Sequence, residues 1–406
     1  MNSEKTSRNV TNKKNKTSSP TWVRREQHGK ISAIPEKISN IILIPKQKDR
    51  NEIQNINEAD IKEEEDIGIL IKEIIRIIDI AEEFICISSF VIGNRRIQDA
   101  LLRAYERKVR IYFLTASENY LERDILSERD IEAIEKHIHF LKEMQGKALI
   151  RSSRDYHLKC ILIDPKNQKN KKGYLMTCNL TGAVYKSPDI AVKLNKSQID
   201  VVFHQFLIGF YYLASGEIRK DGIGDLPESI KKLPIELPVI KSPKAEIYPT
   251  IKCQNGDKNK EYETLWLKKQ LMEFIQESDG ELKVFAWNFD DRSDPVKEII
   301  LQLKSGRRVK TLTNQKTKNG KVKPGLNKLL NEGAEIYGIP YFHAKGVISK
   351  KDGKYKAFIM TSNFENPGIE FGFNVGIMIN DESQALKLNQ LFDEWCRCSE
   401  FELKKK

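Results

Sequence analysis

Hydrophobic positions recur along the chain from about residue 68 in a pattern that predicts helices and strands in turn. IGILIKEIIRIIDIAEE has apolar residues at helical spacing, FICISSFVI (84–92) is an apolar run of strand length, and IQDALLRAYERK is helical again. VRIYFLT is a second strand, and a helix around 130–144 leads to the short strand ALIRSS. This alternation favours an α/β fold with a parallel sheet covered on both faces.

The same order of elements then returns after an interruption. Residues 216–262 are dense in Pro and Gly and predict an interdomain connection. Beyond them, ETLWLKKQLMEFIQES is a helix, ELKVFAWNF a strand, VKEIILQLKSG a helix and RRVKTLT a strand. We therefore predict two similar halves, 61–215 and 263–400, with a mostly disordered polar and basic tail at 1–60 and a short basic tail at 401–406.

Two short motifs set the register of this repeat. DYHLKCILID (155–164) aligns with YFHAKGVISK (341–350), and GYLMTCNLT aligns with KAFIMTSNF. His157 and His343 are 186 positions apart, and Asn179 and Asn363 are 184 apart. Because the register holds to within two residues, the pattern indicates a tandem duplication.

Each half offers the same three polar groups at one place. Side chains two apart on a strand share a face, so the histidine and the lysine of each motif point the same way. A hairpin after each motif returns the chain to a small residue and an asparagine. The two trios are His157, Lys159 and Asn179, and His343, Lys345 and Asn363. If the halves pack around a pseudo-twofold axis, these trios face each other across a single site.

HLKCILID fits the pattern HxKxxxxD, and with the downstream asparagine and the second HxK the chain resembles the phospholipase D superfamily over about 68–400. The resemblance implies two tandem phospholipase D-like domains, each a mixed, mostly parallel sheet flanked by helices, with one active site at their interface. It implies a phosphodiesterase that needs no metal and no other cofactor. His157 is then the nucleophile and His343 the acid/base, although the near symmetry leaves the reverse assignment open.

The residue types suit that chemistry. Lysine and asparagine side chains can stabilise the nonbridging oxygens of a phosphodiester as charge shifts onto them. One neutral imidazole can attack phosphorus to form a phosphohistidine, and the other, protonated, can give its proton to the leaving oxygen. Histidine serves both purposes because its pKa lies near neutral pH.

The second half departs from the family pattern in two places. Lys350 stands where the motif would have its aspartate. Its counterpart Asp164 lies an odd number of positions from His157, on the opposite strand face, so we expect a structural role for it.

The second departure concerns the acidic residue that the family often places beyond the asparagine to orient a histidine. Asp189 fills that place in the first half, but Asn374 does so in the second, with Glu370 nearby. Which half's group serves which histidine stays open at this stage. An amide supports a charged imidazole less than a carboxylate does, so one half could be weakened.

The charge of the chain favours a polyanionic partner. The net charge is +12 with a pI near 9.1. Basic residues near the strand ends could guide a phosphate backbone, although a solvated lysine-rich loop explains most of them equally well. These candidate nucleic-acid-binding residues are Arg95, Arg96, Lys316, Lys318, Lys321 and Lys323.

The chain also lacks the sequence features of a membrane or secreted protein. No window approaches the ~18 apolar residues that cross a bilayer. The first 20 residues have no apolar core of a signal peptide, so we expect a cytoplasmic protein.

The predicted function is that of a nuclease acting on DNA or RNA. The alternative is a phospholipase D or a phosphatidyltransferase of the cardiolipin synthase type. A second alternative is a weakly active, nucleic-acid-binding subunit of a larger complex. Both motif copies lie in one chain, so a monomer would suffice to complete a site.

Overall fold

The computed structural model describes residues 20–26, 37–44, 68–116, 128–153, 156–181, 187–219, 222–225, 237–252, 263–315 and 322–405. These residues form two ten-stranded sheets and their flanking helices. No helix within the described ranges is both long enough and apolar enough to cross a membrane.

The first sheet is built from strands that lie between residues 37 and 225. Its strand order is β11-β10-β6-β5-β4-β7-β8-β9-β3-β2. The strands are β2 (Lys37–Ile38), β3 (Ile41–Ile44), β4 (Phe84–Ser88), β5 (Arg110–Ala116), β6 (Leu149–Ser153), β7 (Cys160–Ile163), β8 (Lys172–Met176), β9 (Asp189–Lys193), β10 (Gly216–Arg219) and β11 (Gly222–Asp225).

The second sheet repeats this arrangement strand for strand. Its order is β1-β20-β16-β15-β14-β17-β18-β19-β12-β13. The strands are β1 (Thr21–Arg24), β12 (Ile247–Lys252), β13 (Thr264–Leu265), β14 (Leu282–Ala286), β15 (Val309–Asn314), β16 (Glu335–Ile339), β17 (Gly346–Lys351), β18 (Lys354–Met360), β19 (Gly372–Ile379) and β20 (Phe401–Lys404). The predicted duplication is therefore present in the topology.

Both sheets are mixed, as predicted, but their parallel part is small. Only β4-β5-β6 and β14-β15-β16 run parallel within the described strands, and every other neighbouring pair is antiparallel. The expectation of a mostly parallel sheet was wrong in this respect. Short connections such as the one between β7 and β8 allow only antiparallel pairing, whereas parallel pairs need a long crossover.

Helices cover the sheets in the order that the apolar spacing predicts. Side chains cap several of their first turns: Asn94 accepts from the Ile97 backbone N–H at 3.2 Å, and Asn195 forms a capping box with Gln198. The helices are α1 (Ile69–Asp79), α2 (Arg95–Glu106), α3 (Glu128–Met144), α4 (Lys196–Ile208), α5 (Trp266–Glu277), α6 (Asp294–Lys304), α7 (Pro324–Asn331), α8 (Asn366–Ile369) and α9 (Glu382–Arg397). A π-helix, Gly209–Leu213, continues α4.

Three apolar cores hold the molecule together. One lies under the outer helices of the first half and one under those of the second. The third, which we call the central core, joins both sheets with α4 and α9. Within it Tyr156 of the first half stacks on Phe373 of the second, with ring centroids 4.7 Å apart. The two halves therefore share one continuous interior, which fixes the geometry of any site between them.

Segments predicted as connection or tail supply strands at, or next to, the edges of the sheets. β10, β11 and β12 lie within 216–262, and β20 lies within the predicted basic tail at 401–406. β1 and β3, within the predicted disordered region, pair with β20 and β9. These strands are short, and apart from the β10–β11 hairpin their partners are distant in sequence, so local pattern gives little sign of how they pair. Pro249 is tolerated in β12 because β13 pairs only with Thr250 and Ile251.

Asp164 has the predicted structural role, although it lies in the turn just after β7, with a φ of 45°, and not on a strand face. Its carboxylate accepts the backbone N–H groups of Glu82, Glu83 and Phe84 at 2.8–2.9 Å, and so holds the turn that enters β4. In the second half, where Lys350 replaces the aspartate, Arg307 ties the corresponding turn by donating to the Gly280 carbonyl at 2.7 Å.

Candidate active site

The two histidine motifs meet where the halves touch. The His157 backbone N–H donates to the Phe373 carbonyl, and the His343 N–H donates to the Pro188 carbonyl, each at 3.2 Å. Each accepting carbonyl belongs to the residue just before Asn374 or Asp189, the two groups that the sequence analysis expected to orient a histidine. The side chains that orient the histidines must consequently cross from one half to the other.

That crossing resolves the question that the sequence left open. Asp189 of the first half lies with its Oδ1 3.2 Å from Nδ1 of His343, and Asn374 of the second half lies with its Oδ1 3.2 Å from Nδ1 of His157. A threonine anchors each group: Thr177 donates to Asp189 at 2.7 Å, and Thr361 donates to Asn374 at 2.9 Å. One histidine thus has a carboxylate partner and the other an amide.

The two lysines lie beneath the imidazoles and are fully buried. Nζ of Lys159 is 2.9 Å from Nε2 of His157, and Nζ of Lys345 is 3.2 Å from Nε2 of His343. Lys345 also donates to the Thr177 carbonyl across the interface at 3.3 Å. Neither ammonium group contacts a carboxylate directly among the described residues. A negatively charged ligand would therefore stabilise both buried cations.

The asparagines follow each hairpin strand back towards the histidines. The Met176 N–H donates to the Lys159 carbonyl at 2.9 Å, and the Met360 N–H donates to the Lys345 carbonyl at 3.1 Å. Asn179 and Asn363 come three residues later in each case. Both carboxamide oxygens, as assigned, are buried without a hydrogen-bond partner among the described residues. An amide placed in this way has hydrogen-bonding capacity left for a ligand.

The electrostatics of the site keep both imidazoles neutral. Burial and the charge of Lys159 and Lys345 hold the pKa of His157 well below its usual 6.5. Burial and Lys345 lower the pKa of His343 to about 4, although Asp189 opposes the shift.

The lysines themselves are also destabilised in their charged form. Burial, opposed by Asp189, lowers the pKa of Lys345 to about 8, and burial together with Lys345 lowers that of Lys159. A bound anion would reverse each of these shifts.

Aromatic side chains that the sequence analysis missed form walls beside the histidines. The ring of Phe90 lies edge-on to His157 at 5.8 Å between centroids, and Trp287 lies likewise against His343 at 5.7 Å. Both follow the first strand of their half, and the pairing of β4 with β7 and of β14 with β17 makes them equivalent positions, a register that the sequence alone did not give. The aromatics that precede the histidines, Tyr156 and Phe342, are core residues instead.

Glu365 is a second residue that sequence reasoning missed. Its carboxylate accepts from Asn363 Nδ2 at 3.3 Å, and its charge opposes the lowering of the pKa of Lys345. Glu370, proposed from sequence as a supporting group, forms an ion pair with Lys268 at 2.7 Å.

The candidate nucleic-acid-binding residues are not gathered into one tract in the described part of the chain. Arg95 forms ion pairs with Asp99 at 3.1 Å and Glu143 at 3.2 Å, and Arg96 lies beside it, half-buried. Lys323 reaches the candidate site, where it donates to the Trp287 carbonyl at 2.8 Å. Burial lowers its pKa to about 8. The remaining three, Lys316, Lys318 and Lys321, lie outside the described residues.

Two other described histidines, His137 and His139, have ordinary structural surroundings. His137 is buried and lies within hydrogen-bond distance of Thr115 and of the Ile92 backbone, and burial lowers its pKa to about 4. His139 is exposed beside Glu143. No group of three His, Cys, Asp or Glu side chains in the described segments could hold a metal ion.

Comparison with known proteins shows which family model and which folds the chain is similar to. Residues 271–396 match the family model described as "Cardiolipin synthase, PLD-like domain". The fold is similar to that of a phosphatidylserine synthase from Haemophilus influenzae Rd KW20, with a TM-score of 0.53 and 13% identity over 83% of this chain and 85% of that one. No curated protein matches the chain by sequence.

Two further solved structures are similar with lower TM-scores. A polyphosphate kinase from Porphyromonas gingivalis has a TM-score of 0.48 and 12% identity, over 80% of this chain and 44% of that one. A phospholipase D family member, Nuc, from Salmonella typhimurium has a TM-score of 0.29 and 18% identity, over 38% of this chain and 93% of that one. The resemblance that the two HxK motifs predicted is confirmed by the family model for residues 271–396, which include the second motif, and the phosphatidylserine synthase structure shares the fold over most of the chain.

Proposed function

We propose that the protein cleaves or transfers phosphodiesters through a covalent phosphohistidine, with His157 as the nucleophile and His343 as the acid/base. The observation that carries this proposal is the crossed support of the two imidazoles. Asp189 favours the protonated form of His343, which a general acid needs, whereas the Asn374 amide leaves His157 neutral. This asymmetry supports one of the two assignments that the near symmetry of the sequence allows.

The steps follow from the positions of the ring nitrogens. With Nδ1–H of His157 donating to Asn374 Oδ1, Nε2 carries the lone pair, and it can attack phosphorus once the Lys159 ammonium, 2.9 Å from Nε2, donates to a nonbridging oxygen of the substrate instead. The N–P bond forms as the P–O bond to the leaving group breaks, and His343 gives its proton to that oxygen. In the second step His343 takes a proton from water or an acceptor hydroxyl, whose oxygen displaces His157 from phosphorus.

The lysines and asparagines stabilise the charge on the nonbridging oxygens throughout. Lys159 and Lys345 are the buried cations nearest the imidazoles, so a phosphate there would satisfy them directly. An anionic substrate would also raise the pKa of His343 from about 4, which favours its acid form.

For the substrate we propose nucleic acid first, which makes the enzyme a nuclease. The support is the net charge of +12 and the presence of Lys323 beside the site. A phospholipid is the second candidate, because the matching domain model is described as that of cardiolipin synthase and a similar fold belongs to a phosphatidylserine synthase.

The test is a panel of substrates in the presence of EDTA. Labelled single- and double-stranded DNA and RNA are compared with vesicles containing labelled phosphatidylglycerol or phosphatidylserine. We expect turnover of nucleic acid, its loss in His157→Ala, and unchanged turnover in the control His139→Ala, which alters an exposed histidine. Turnover of lipid alone would exclude the nuclease proposal, and steeply salt-dependent nucleic-acid binding without turnover would favour a binding subunit.

A trapping experiment tests the roles of the histidines separately. A diester with a good leaving group needs little acid assistance, so His343→Ala should accumulate a phosphorylated enzyme with it. We expect mass spectrometry to place the phosphoryl group on the peptide that contains His157. Phosphorylation of His343 in the wild-type enzyme would reverse the assignment, and no covalent species in either case would exclude the mechanism.

A further inference from the structure

A cavity of about 480 Å³ opens at the end of the first sheet opposite the candidate active site. Phe84 and Cys86, at the start of β4, form its floor, and α4 with its π-helical extension covers one side. Phe90, beside His157, lies six residues further along the chain, about 20 Å away in extended form. The cavity is therefore separate from the phosphodiester site.

Its lining is mainly aromatic. Phe84 packs against Tyr112 at 6.0 Å and Phe203 at 5.9 Å between ring centroids, and Tyr112 packs against Phe210 at 5.8 Å. Protein interiors are normally packed without such voids, and small-molecule sites of this volume are typically apolar with a few polar groups. π-helical turns such as Gly209–Leu213 also occur frequently at functional sites.

The matching place in the second half shows that the fold does not require this lining. The strand pairing of the two hairpins aligns Phe84 with Glu281 and Cys86 with Lys283. There a cavity of about 360 Å³ is lined by charged residues, and Lys283 forms an ion pair with Asp393 at 2.6 Å. The duplicated positions have diverged, and one copy has become aromatic while the other is bridged by ion pairs.

The polar groups of the first-half cavity indicate the chemistry of its occupant. Arg110 and Lys166 stand at its rim with Glu83 and Asp200, and Asp200 forms an ion pair with Lys171. Within the described part of the chain Asp200 is thus already paired, which leaves two cations, Arg110 and Lys166, beside one further carboxylate, Glu83.

His204, which also lines the cavity, adds a hydrogen-bond acceptor. Its Nε2–H donates to the Pro238 carbonyl at 2.8 Å, and its Nδ1 is buried without a partner among the described residues. A ligand hydroxyl or a bound water can supply the missing donor.

We propose that this cavity binds a small amphipathic anion, an apolar body of acyl or aryl type that carries a carboxylate. The apolar body occupies the aromatic interior, and the carboxylate lies at the rim near Arg110 and Lys166. The site is independent of the phosphodiester chemistry, because none of the catalytic side chains lines it.

The test uses decanoate as the probe, with isothermal titration of the full chain. We expect saturable binding of one decanoate per chain, and weaker binding of decanol, which lacks the carboxylate. Cys86→Phe, which fills the cavity, should weaken decanoate binding about tenfold or more. Arg110→Gln should abolish the preference for decanoate over decanol, whereas Arg103→Gln, on an arginine paired with Asp79 away from the cavity, should not.

The outcomes separate the proposal from its alternatives. Non-saturating uptake by the wild-type protein, or equal affinities in wild type, Cys86→Phe and Arg110→Gln, would overturn it. If Cys86→Phe does not fold, the comparison of Arg110→Gln with Arg103→Gln decides alone.

Discussion

Replacement of Asp189 by asparagine should move the pH dependence of catalysis and leave the architecture intact. The substitution keeps the shape of the side chain and an oxygen that can accept from Thr177, but removes the charge 3.2 Å from Nδ1 of His343. Asp189 raises the pKa of His343, so its loss lowers that pKa further below about 4. A neighbouring opposite charge typically accounts for about 1–3 pKa units.

The size of the effect on rate follows from the protonated fraction of the acid. Above its pKa, the fraction of His343 able to donate falls tenfold for each unit by which the pKa drops. Asp189→Asn should therefore reduce kcat/KM at a fixed neutral pH by about 10–10³-fold. The alkaline limb of the pH–rate profile should move to lower pH by the same number of units.

The assay compares two diesters that differ only in their leaving group. A nitrophenyl ester leaves readily without protonation, whereas an alkyl ester requires the acid. We expect Asp189→Asn to slow the alkyl ester much more than the nitrophenyl ester. Equal losses for the two esters with an unshifted pH limb would mean that Asp189 only holds the fold, and would refute its assignment as the support of a general acid.

Three further substitutions test how the fold is held. Lys345→Met should raise the unfolding free energy at pH 7 by up to about 3 kcal/mol, since the drop in its pKa from 10.5 to about 8 measures the cost of burying the charge. Between pH 8 and 10.5 the unfolded wild-type chain binds more protons than the folded one, so the wild type gains stability as the pH rises. The difference in unfolding free energy between Lys345→Met and wild type, measured by urea titration, should therefore shrink over this range, and a constant difference contradicts this reasoning. Asp164→Ala should lower the unfolding free energy by about 3 kcal/mol, because three backbone N–H groups lose their acceptor. Lys350→Ala, at the matching position, should leave the unfolding free energy almost unchanged. Equal losses in the two variants would contradict the structural role of Asp164. Trp22→Ala should cost about 2 kcal/mol and speed amide exchange in β20, and unchanged exchange would show that β1 does not secure that edge.

The sequence was enough to predict what depends on local periodicity. A period of two placed His157 beside Lys159 and His343 beside Lys345, although both pairs lie just before β7 and β17 begin and not within a strand as predicted. The constant spacing to the asparagines revealed the duplication. The structural role of Asp164 was also predicted, although the residue lies in the turn after β7 and not on a strand face. Each of these inferences needs only one strand or one hairpin, so no knowledge of distant contacts was required.

The features that sequence did not predict all depend on contacts between distant segments. The partner of each histidine depends on how the halves dock, since the hydrogen bond from His157 to the Phe373 carbonyl spans more than 200 residues. The pairing of β1 with β20 joins the two ends of the described chain. The hydrogen bond from Arg307 to the Gly280 carbonyl, which holds the turn that lacks the aspartate, could not be predicted either, because backbone carbonyls leave no trace in the residue pattern.

Charge balance in the site leads to a final prediction, on anion binding. Three lysines and two carboxylates influence one another there: Lys159, Lys345 and Lys323, with Asp189 and Glu365. With both imidazoles neutral the group carries one excess positive charge, and the lowered pKa values of the lysines record how poorly the protein alone compensates it. A tetrahedral oxyanion such as tungstate should therefore bind and stabilise the folded state, by about 2.7 kcal/mol at 100 times its Kd.

The pH dependence distinguishes this site from general surface binding. Tungstate interacts with the protonated form of Lys345, whose pKa is about 8, so its affinity should be highest below pH 8 and decline above it. Lys345→Met should lose most of the tungstate-induced rise in Tm, whereas Lys297→Met, on a largely exposed lysine paired with Asp294, should keep it. A rise in Tm that is equal in both variants, or one that stays flat from pH 7 to beyond the pKa of Lys345, would mean that the buried lysines do not form an anion site. In that case the phosphodiester chemistry proposed for the paired histidines would lose its electrostatic basis.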